Sequence, residues 1–179
     1  MSTPLQSRVG FVIRSARAEE FSQIGEITLR GFGHGKEPGY EPTAERRRLL
    51  LDVAARAESG DVLVAEDEGG RLIGTASLLR PGSAVTRQSD GEEAELRLLA
   101  TLPGERGRGV GTALVLEALQ RAREWGTPAL VLDTGPDNDS QNIYARLGFT
   151  RVVERETQLA SRGGFLVVFR HQFTQESGQ

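Results

Sequence analysis

The sequence predicts a mixed α/β protein built on one sheet of about seven strands. Three observations indicate this fold: β-branched apolar runs alternate with segments of helical periodicity, two glycine-containing turns join neighbouring strands, and single helices separate the central strands. Strands joined through one helix are most simply parallel, whereas strands joined by a short turn are antiparallel. The expected element order is β-α-α-β-β-β-α-β-α-β-β.

The composition favours one globular domain over 1–179, with a core over 11–173 and a frayed C-terminal tail. Of the residues, 37% are hydrophobic and 26% are charged. Cysteine is absent and His34 and His171 lie far apart, so we expect neither disulfides nor a metal site. The net charge of −3 argues against a nucleic-acid partner. Without a membrane-length apolar run or a signal-peptide pattern, we expect a cytoplasmic protein with no membrane partner. The sequence is compatible with a monomer or a homodimer.

The first half of the chain is predicted to contain three strands and two helices. These elements are a strand at 11–17, a helix at 18–29, a glycine-rich loop at 31–42, a helix from Thr43 to Gly60, and strands at 61–67 and 71–80. Thr43 is a typical N-cap residue, and glycine is typical of the position after a helix. The two later strands are joined by a short turn at 68–70, which predicts a hairpin.

The second half is predicted to contain four strands and two helices. A polar linker at 81–93 precedes a strand at 94–101, a glycine loop at 106–111, a helix to about 125, a strand at 128–134, a helix at 140–149 capped by Ser140, and strands at 150–159 and 165–173. The last two strands flank Arg162-Gly163-Gly164, which predicts a second hairpin.

The glycine loop predicts a phosphate site. Its residues are Arg106, Gly107, Arg108, Gly109, Val110 and Gly111, followed by Thr112. Glycines allow successive N–H groups to approach an anion, a helix N-terminus adds unpaired N–H groups, and arginines add charge-assisted hydrogen bonds.

Three interpretations of this loop are compared. A nucleoside-triphosphate loop requires a lysine before the Ser or Thr, and none follows Gly111. A dinucleotide fold would use Asp133 at the end of the next strand, but the spacing is G-x-G-x-G and 102–105 separate the strand from the glycines. A purely structural turn is the third interpretation. The residues of the loop indicate a phosphate or pyrophosphate and do not identify the molecule that carries it.

The loop and its surroundings resemble the GNAT superfamily of N-acetyltransferases. Arg106, Gly109 and Gly111 match the family's pyrophosphate signature Q/R-x-x-G-x-G/A, and 95–103 is similar to its fourth strand. A second family feature, an Asn followed six residues later by Tyr in a helix ending in L-G-F, is matched by Asn138, Tyr144 and 147–149. The element order over 11–173 also agrees.

The resemblance implies that acetyl-coenzyme A is the co-substrate. In the family the fourth and fifth strands splay apart, and the pantetheine arm inserts between them. Carried over, Leu99, Ala100 and Thr101 would offer backbone groups to the arm and thioester, the loop from Arg106 through Thr112 would hold the pyrophosphate, and Asn138 would contact the arm. Family members more often have valine where this chain has Thr101, but the contact there would be made by the backbone.

The resemblance also implies catalytic residues. Tyr144 occupies the family's general-acid position, and Glu95 stands where some members carry a base. Direct transfer needs a base for the protonated amine and an acid for the departing thiolate. Two alternatives stay open: Tyr144 as a packing residue beside Ile143 and Leu147, and Glu95 as an ion-pair partner of Arg97.

In the family, the first helices and the following loop line the acceptor side. Phe32, His34 and Tyr40 are therefore candidate substrate-binding residues, and the run Arg46–Arg48 is either an anion patch or the solvated face of a helix. The sequence predicts an N-acetyltransferase acting in a ternary complex on a small-molecule or peptide amine. The alternatives are a non-catalytic acyl-CoA-binding module and a dinucleotide-dependent oxidoreductase.

Overall fold

The structure is a computed structural model that describes residues 10–33, 36–136, 138–160 and 165–174, with the side chains of 157–160 left out. The strands are β1 (Phe11–Ser15), β2 (Gly60–Asp67), β3 (Leu72–Leu79), β4 (Ala94–Thr101), β5 (Ala129–Thr134), β6 (Thr150–Arg151) and β7 (Val167–Gln172). The helices are α1 (Phe21–Gly33), α2 (Ala44–Leu51), α3 (Val53–Ser59), α4 (Val110–Glu124), α5 (Gln141–Arg146) and α6 (Val153–Ala160). Short 3-10 turns occupy Ala18–Glu20 and Pro103–Glu105.

The strands form one seven-stranded mixed sheet in the order β1-β2-β3-β4-β5-β7-β6. β4 and β5 are parallel, as expected for strands joined through one helix. β1 pairs with β2, and β7 pairs with both β5 and β6, in antiparallel registers. The predicted mixed α/β fold class is confirmed. The parallel register runs from Ala94–Leu130 to Leu96–Leu132, while β4 itself continues to Thr101.

The chain divides into two compact units. The first unit comprises Met1–Ser77 with Leu98–Val115, and the second comprises Leu78–Arg97 with Leu116–Gln179. The core of the first unit is an apolar cluster contributed by two helices, two strands and the residue after β4: Ile24, Ile27, Val53, Val62, Val64, Leu72 and Leu102. The second unit is organised by β5, which pairs with β7 along its whole length. The expectation of a single domain stays a prediction.

The helix predicted from Thr43 to Gly60 is two helices, because the helical backbone is interrupted at Asp52. The Thr43 hydroxyl accepts from the Arg46 N–H at 3.1 Å, as an N-cap does. Asp52 then has φ −82° and ψ 69°, and its carboxylate accepts from the Ala55 N–H at 3.2 Å. Asp52 therefore ends α2 and caps α3. Aspartate competes for backbone N–H groups in this way, so its position inside an apolar periodicity marks a boundary.

The strand predicted at 150–159 was wrong beyond its first two residues, because α6 follows β6 directly. Glu154 and Glu156 lie in the first turn of α6, where the helix dipole favours carboxylates. The Glu156 carboxylate accepts from the Val168 N–H at 3.1 Å and from Arg151 Nε at 2.6 Å. The turn predicted at 162–164 and the tail at 175–179 lie outside the described residues.

The helix predicted at 18–29 is also displaced. A 3-10 turn occupies Ala18–Glu20, and α1 continues to Gly33. Helical backbone therefore includes Phe32, which the sequence had placed in a loop.

Candidate active site

The glycine loop has the backbone geometry of an anion-binding turn. Gly107 and Gly109 both have φ +82°, and a Cβ built on either would meet nothing within 4 Å. This left-handed region favours glycine, and its alternation with ordinary residues turns successive N–H groups toward one side. The loop leads directly into α4, a helix of 15 residues that begins at Val110. Its first N–H groups have no partner within the helix and carry the positive end of its dipole.

The start of α4 and the end of β4 pack against the same residue of β3. A Cβ at Gly74 would lie 2.7 Å from Val110 Cγ1 and 3.3 Å from the carbonyl oxygen of Ala100. The absence of a side chain at Gly74 therefore lets the helix N-terminus approach the strand. Within the first unit, the structure therefore places Ala100 and Val110 of the glycine loop beside the same glycine.

β4 is irregular in its interior. Leu98 has φ +56° and is the one described residue other than glycine with a positive φ. For a bulky residue inside a strand, this is a genuine outlier of the kind that interrupts ladder pairing. Of the three residues that follow, Leu99 and Thr101 are half-buried and Ala100 is buried. The irregularity stands immediately before the three residues predicted to offer backbone groups to a ligand.

The C-terminal turn of α1 lies against the end of β4. A Cβ at Gly31 would lie 2.8 Å from Ala100 Cβ and 3.3 Å from the carbonyl oxygen of Thr101. Arg106 Nη2 lies 3.5 Å from the Gly31 carbonyl oxygen, a distance at the outer limit for a hydrogen bond. The exposed Arg106 side chain is therefore held weakly enough to turn toward an anion.

We expect Gly31→Ala to destabilise the protein by about 1–3 kcal/mol, because the added methyl overlaps Ala100 in a packed contact. The matched control is Gly33→Ala in the same helix, where a Cβ would meet nothing within 4 Å. Alanine also has the higher helix propensity, so this control should be neutral or slightly stabilising. Urea unfolding of both variants measures the difference, and equal stabilities would contradict the close approach.

Arg108 is engaged in an ion pair next to the loop. Its guanidinium contacts the Glu105 carboxylate, which also accepts from Arg71 Nη1 at 3.0 Å. Glu105 lies in the 3-10 turn between β4 and the loop. An anion in the loop would compete with Glu105 for Arg108, whereas Arg106 pairs with no carboxylate in the part of the chain that the structure describes.

The predicted acceptor residues are partly described. Phe32 is half-buried at the end of α1, and the Arg46 guanidinium carbon lies 5.3 Å from its ring centroid. Tyr40 is 49% exposed, with Lys36 Nζ 5.6 Å from its ring centroid. Both arrangements are cation–π contacts. His34 lies outside the described residues. Phe32 follows Gly31, the residue that packs against the end of β4.

In the second unit, Tyr144 is buried on α5 within an aromatic cluster. It is 4% exposed, and its ring centroid lies 5.6 Å from those of both Phe149 and Phe169. Burial raises the pKa of the Tyr144 hydroxyl well above its usual value, and a hydrogen bond with Ser140 opposes this rise. The phenol is therefore protonated at neutral pH. The packing and general-acid interpretations are compatible, because the ring packs and the hydroxyl carries the proton.

Asn138 lies in the turn just before α5, the helix that carries Tyr144. Its Oδ1 accepts from the Ser140 N–H at 2.9 Å, and its carbonyl accepts from the Gln141 N–H at 3.2 Å. The Ser140 side chain, predicted as the N-cap, makes no capping hydrogen bond. Asn138 is exposed. Its proposed contact with the pantetheine arm stays a prediction, and the structure adds a local role in starting α5.

Glu95 is buried and fully engaged with backbone N–H groups. Its side chain is 1% exposed and accepts from the N–H groups of Arg87, Gln88 and Ser89. Burial raises the pKa of the Glu95 carboxyl, and these N–H groups oppose the rise. Arg97 Nε lies 3.8 Å from Glu95 Oε2, so the predicted pairing with Arg97 is a loose one. The base role stays a prediction.

The sequence profile of the Acetyltransferase (GNAT) family matches residues 21–149. The chain belongs to the GNAT acetyltransferase family. The matched segment includes α1, β4, the glycine loop and α5. The similarity to the family therefore extends well beyond the two short motifs.

Individual relatives of this GNAT chain agree with the family assignment. A mycothiol acetyltransferase of Cellulomonas flavigena is 29% identical over 127 residues, which cover 70% of this chain and 36% of that protein. The chain therefore spans about a third of the length of this relative.

Solved structures share the fold. A GNAT-family acetyltransferase of Staphylococcus aureus Mu50 has a TM-score of 0.70 at 16% identity, covering 92% of this chain and 99% of that one. A GNAT-family acetyltransferase of Brucella melitensis, solved in complex with acetyl-CoA, has a TM-score of 0.63 at 20% identity, covering 96% and 94%.

The GNAT chain also contains an ion pair at Asp133. Asp133 was weighed as the ribose-binding acid of a dinucleotide fold, but its carboxylate pairs with the Arg87 guanidinium, with Arg87 Nε at 2.8 Å from Oδ2. Family membership and this pairing remove the basis of the oxidoreductase alternative. The contacts of Glu95 and Asp133 with 87–89 were missed, because a polar linker carries no periodicity that indicates its partners.

The described ranges contain neither a metal-ligand cluster nor a membrane-spanning helix. No cluster of three or more His, Asp or Glu residues there could hold a metal ion. No helix within those ranges combines the length and apolar character needed to cross a membrane.

Proposed function

We propose that this GNAT chain transfers an acetyl group from acetyl-coenzyme A directly to an amine. The observation that carries the proposal is the glycine loop: two left-handed glycines open onto free space at the N-terminus of α4, next to the end of β4. Family membership makes acetyl transfer the chemistry that this geometry would serve. Since the chain spans about a third of its curated relative, the activity of a longer protein is part of the same proposal.

The residues of the loop fit a pyrophosphate. Open space beside Gly107 and Gly109 leaves room for phosphate oxygens, and the backbone N–H groups through Gly111 and Thr112 would donate to them. Arg106 adds a guanidinium that can bind phosphate with two hydrogen bonds. These groups would hold the coenzyme by its charged end, leaving the acyl end to be positioned by β4.

β4 would supply backbone hydrogen bonds. The positive φ of Leu98 interrupts the regular strand just before Leu99, Ala100 and Thr101. A backbone N–H freed from a ladder in this way is available to stabilise negative charge that develops on a carbonyl oxygen. We place the thioester carbonyl against this segment.

The proton steps follow from ordinary pKa values. A free amine near pKa 10 is mostly protonated at neutral pH, so a base or an ordered water must remove its proton before attack. The nitrogen then forms its bond to the acyl carbon, the carbon–sulfur bond breaks, and the proton that the nitrogen loses as it becomes an amide passes to the departing sulfur or to water. Tyr144 would donate a hydrogen bond to the departing thiolate. Because burial raises the Tyr144 pKa, a hydrogen bond is favoured over formation of a buried phenolate.

The acceptor is proposed as a small-molecule amine, with a peptide amine as the second class. The curated relative is named for a small-molecule thiol, which places small molecules first. Phe32 at the end of α1 would lie nearest the acceptor, since α1 packs against β4 there. Arg46 against the Phe32 ring would favour an acceptor that carries negative charge.

Release of free thiol from acetyl-CoA tests the proposal. We expect thiol release to depend on added amine, and mass spectrometry to find the acetyl group on that amine. One panel contains small-molecule amines and another contains peptides with free α-amino groups. Coenzyme binding without transfer to any amine in either panel would contradict the enzyme and support the non-catalytic acyl-CoA-binding alternative.

A further inference from the structure

Three successive backbone N–H groups between β3 and β4 converge on one buried carboxylate. The Arg87 N–H lies 2.9 Å from Glu95 Oε2, the Ser89 N–H lies 2.8 Å from Oε1, and the Gln88 N–H also donates to Oε1. We call residues 87–89 the anchored turn. Glu95 is 1% exposed. Its carboxylate therefore accepts from these three N–H groups at a place that water hardly reaches.

The side chains of the anchored turn bind a second strand. Arg87 Nε lies 2.8 Å from Asp133 Oδ2, a second Arg87 nitrogen contacts Oδ1, and Gln88 Nε2 lies 3.1 Å from Oδ2. Asp133 directly follows Leu132, where the parallel register of β4 and β5 ends. The anchored turn therefore bridges Glu95 of β4 and Asp133 of β5, two residues of the second unit that lie beside the last pair of the parallel register.

A third element closes the arrangement. Arg155 of α6 lies 3.3 Å from the Gln88 carbonyl oxygen, and it pairs with the buried Glu93 carboxylate at 2.7 Å. The Ser89 hydroxyl donates to the Glu93 carbonyl at 2.7 Å. Arg170 of β7 also pairs with Glu93, so two arginines offset the charge of this buried carboxylate.

We propose that Glu95 and Asp133 are positioning residues that fix the anchored turn and, through it, the carboxyl end of β5. The chain continues from that end to Asn138 and Tyr144, so the position of the proposed acid depends on it. This inference rests on the proposed function. It gives Glu95 a different role from the family-implied base: both of its oxygens accept N–H groups, and almost none of its surface faces solvent.

Limited proteolysis tests the anchoring without any substrate. Trypsin cleaves after arginine, and cleavage between Arg87 and Gln88 requires the anchored turn to open. We expect Asp133→Asn and Glu95→Gln to raise the cleavage rate after Arg87 by about 10-fold or more, as located by mass spectrometry. The control is Glu117→Gln, which removes a comparable ion pair with Arg121 (2.8 Å) on α4. An unchanged rate in both test variants would overturn the proposal.

Kinetics then separates positioning from base catalysis. For positioning, we expect Glu95→Gln to lower kcat about 10-fold with KM for acetyl-CoA within about 2-fold and the acid limb of the pH–rate profile unchanged. The double variant with Asp133→Asn should fall no further than the worse single variant, because both act on one turn. Loss of the acid limb, with multiplied effects in the double variant, would make Glu95 the base and overturn the proposal.

The outcomes remain distinguishable from failure of the proposed function. If the wild-type chain transfers no acetyl group, the proposed function and the positioning role both fail, while proteolysis still decides whether the two carboxylates anchor the turn. Asp133→Asn leaves the backbone contacts of Glu95 in place, so it provides a folded test variant if Glu95→Gln does not fold.

Discussion

Replacing Gly109 with valine is expected to weaken acetyl-CoA binding roughly 10- to 100-fold. Gly109 has φ +82°, which a β-branched residue adopts at a cost of about 1–3 kcal/mol. The loop relieves this strain by changing its backbone conformation, and the N–H groups then no longer face a common anion. Isothermal titration with acetyl-CoA measures the loss of affinity. Titration with coenzyme A should show the same loss, because both ligands carry the same phosphates.

Gly126→Val is the matched control, because it lies at the other end of the same helix. Gly126 has φ +76°, and a Cβ there would also meet nothing within 4 Å. Its N–H donates to the Arg123 carbonyl at 2.9 Å, so its role is to end α4. We expect a similar loss of thermal stability and unchanged coenzyme affinity. Equal affinity in the Gly109 and Gly126 variants would mean that the loop does not bind the pyrophosphate.

Replacing Tyr144 with phenylalanine is expected to lower kcat by about 10²- to 10³-fold, the usual cost of removing one hydrogen-bond donor from a developing negative charge. The ring would keep its contacts with Phe149 and Phe169, both at 5.6 Å between centroids. Stability should therefore change by no more than about 1 kcal/mol, the net worth of one hydrogen bond. Steady-state kinetics at saturating acetyl-CoA gives kcat, and titration confirms that coenzyme affinity is kept.

Ser140→Ala controls for the hydrogen bond within α5. The variant removes the partner that lowers the Tyr144 pKa and leaves the phenol in place. We expect its kcat to stay within about 10-fold of wild type, because only the orientation of the hydroxyl changes. If Tyr144→Phe kept full kcat, the tyrosine would only pack, and the acid would have to be another group.

The features predicted correctly are those encoded locally. Glycines at 107 and 109 followed by an apolar helical periodicity indicate a left-handed turn at a helix N-terminus, because few other residues tolerate that backbone. β4 and β5 were placed to within one residue, since each is an apolar run bounded by turn residues. The family motifs extended this local information to roles that spacing alone could not assign.

The features that were missed depend on contacts distant in sequence. Helix α6 was predicted as a strand because the β-branched residues Thr150, Val152 and Val153 lead into it, whereas the Glu156 carboxylate accepts from the distant Val168 N–H. Ser140 is the N-cap residue of α5, as predicted, whereas the contact of its N–H with Asn138 Oδ1 was missed, because that contact depends on the turn after β5. The burial of Glu95 could not be inferred from β4, because its donors come from a polar linker folded back onto the strand.

A thermal-shift comparison of acetyl-CoA, coenzyme A and NAD tests the central claim most directly. A ligand at 100 times its Kd adds about 2.7 kcal/mol of stability, which raises Tm by roughly 5–10 °C for a domain of this size. The account predicts this rise with both coenzymes and no rise with NAD. The absence of a rise with either coenzyme, or a rise with NAD alone, would contradict the proposed acetyl-CoA site.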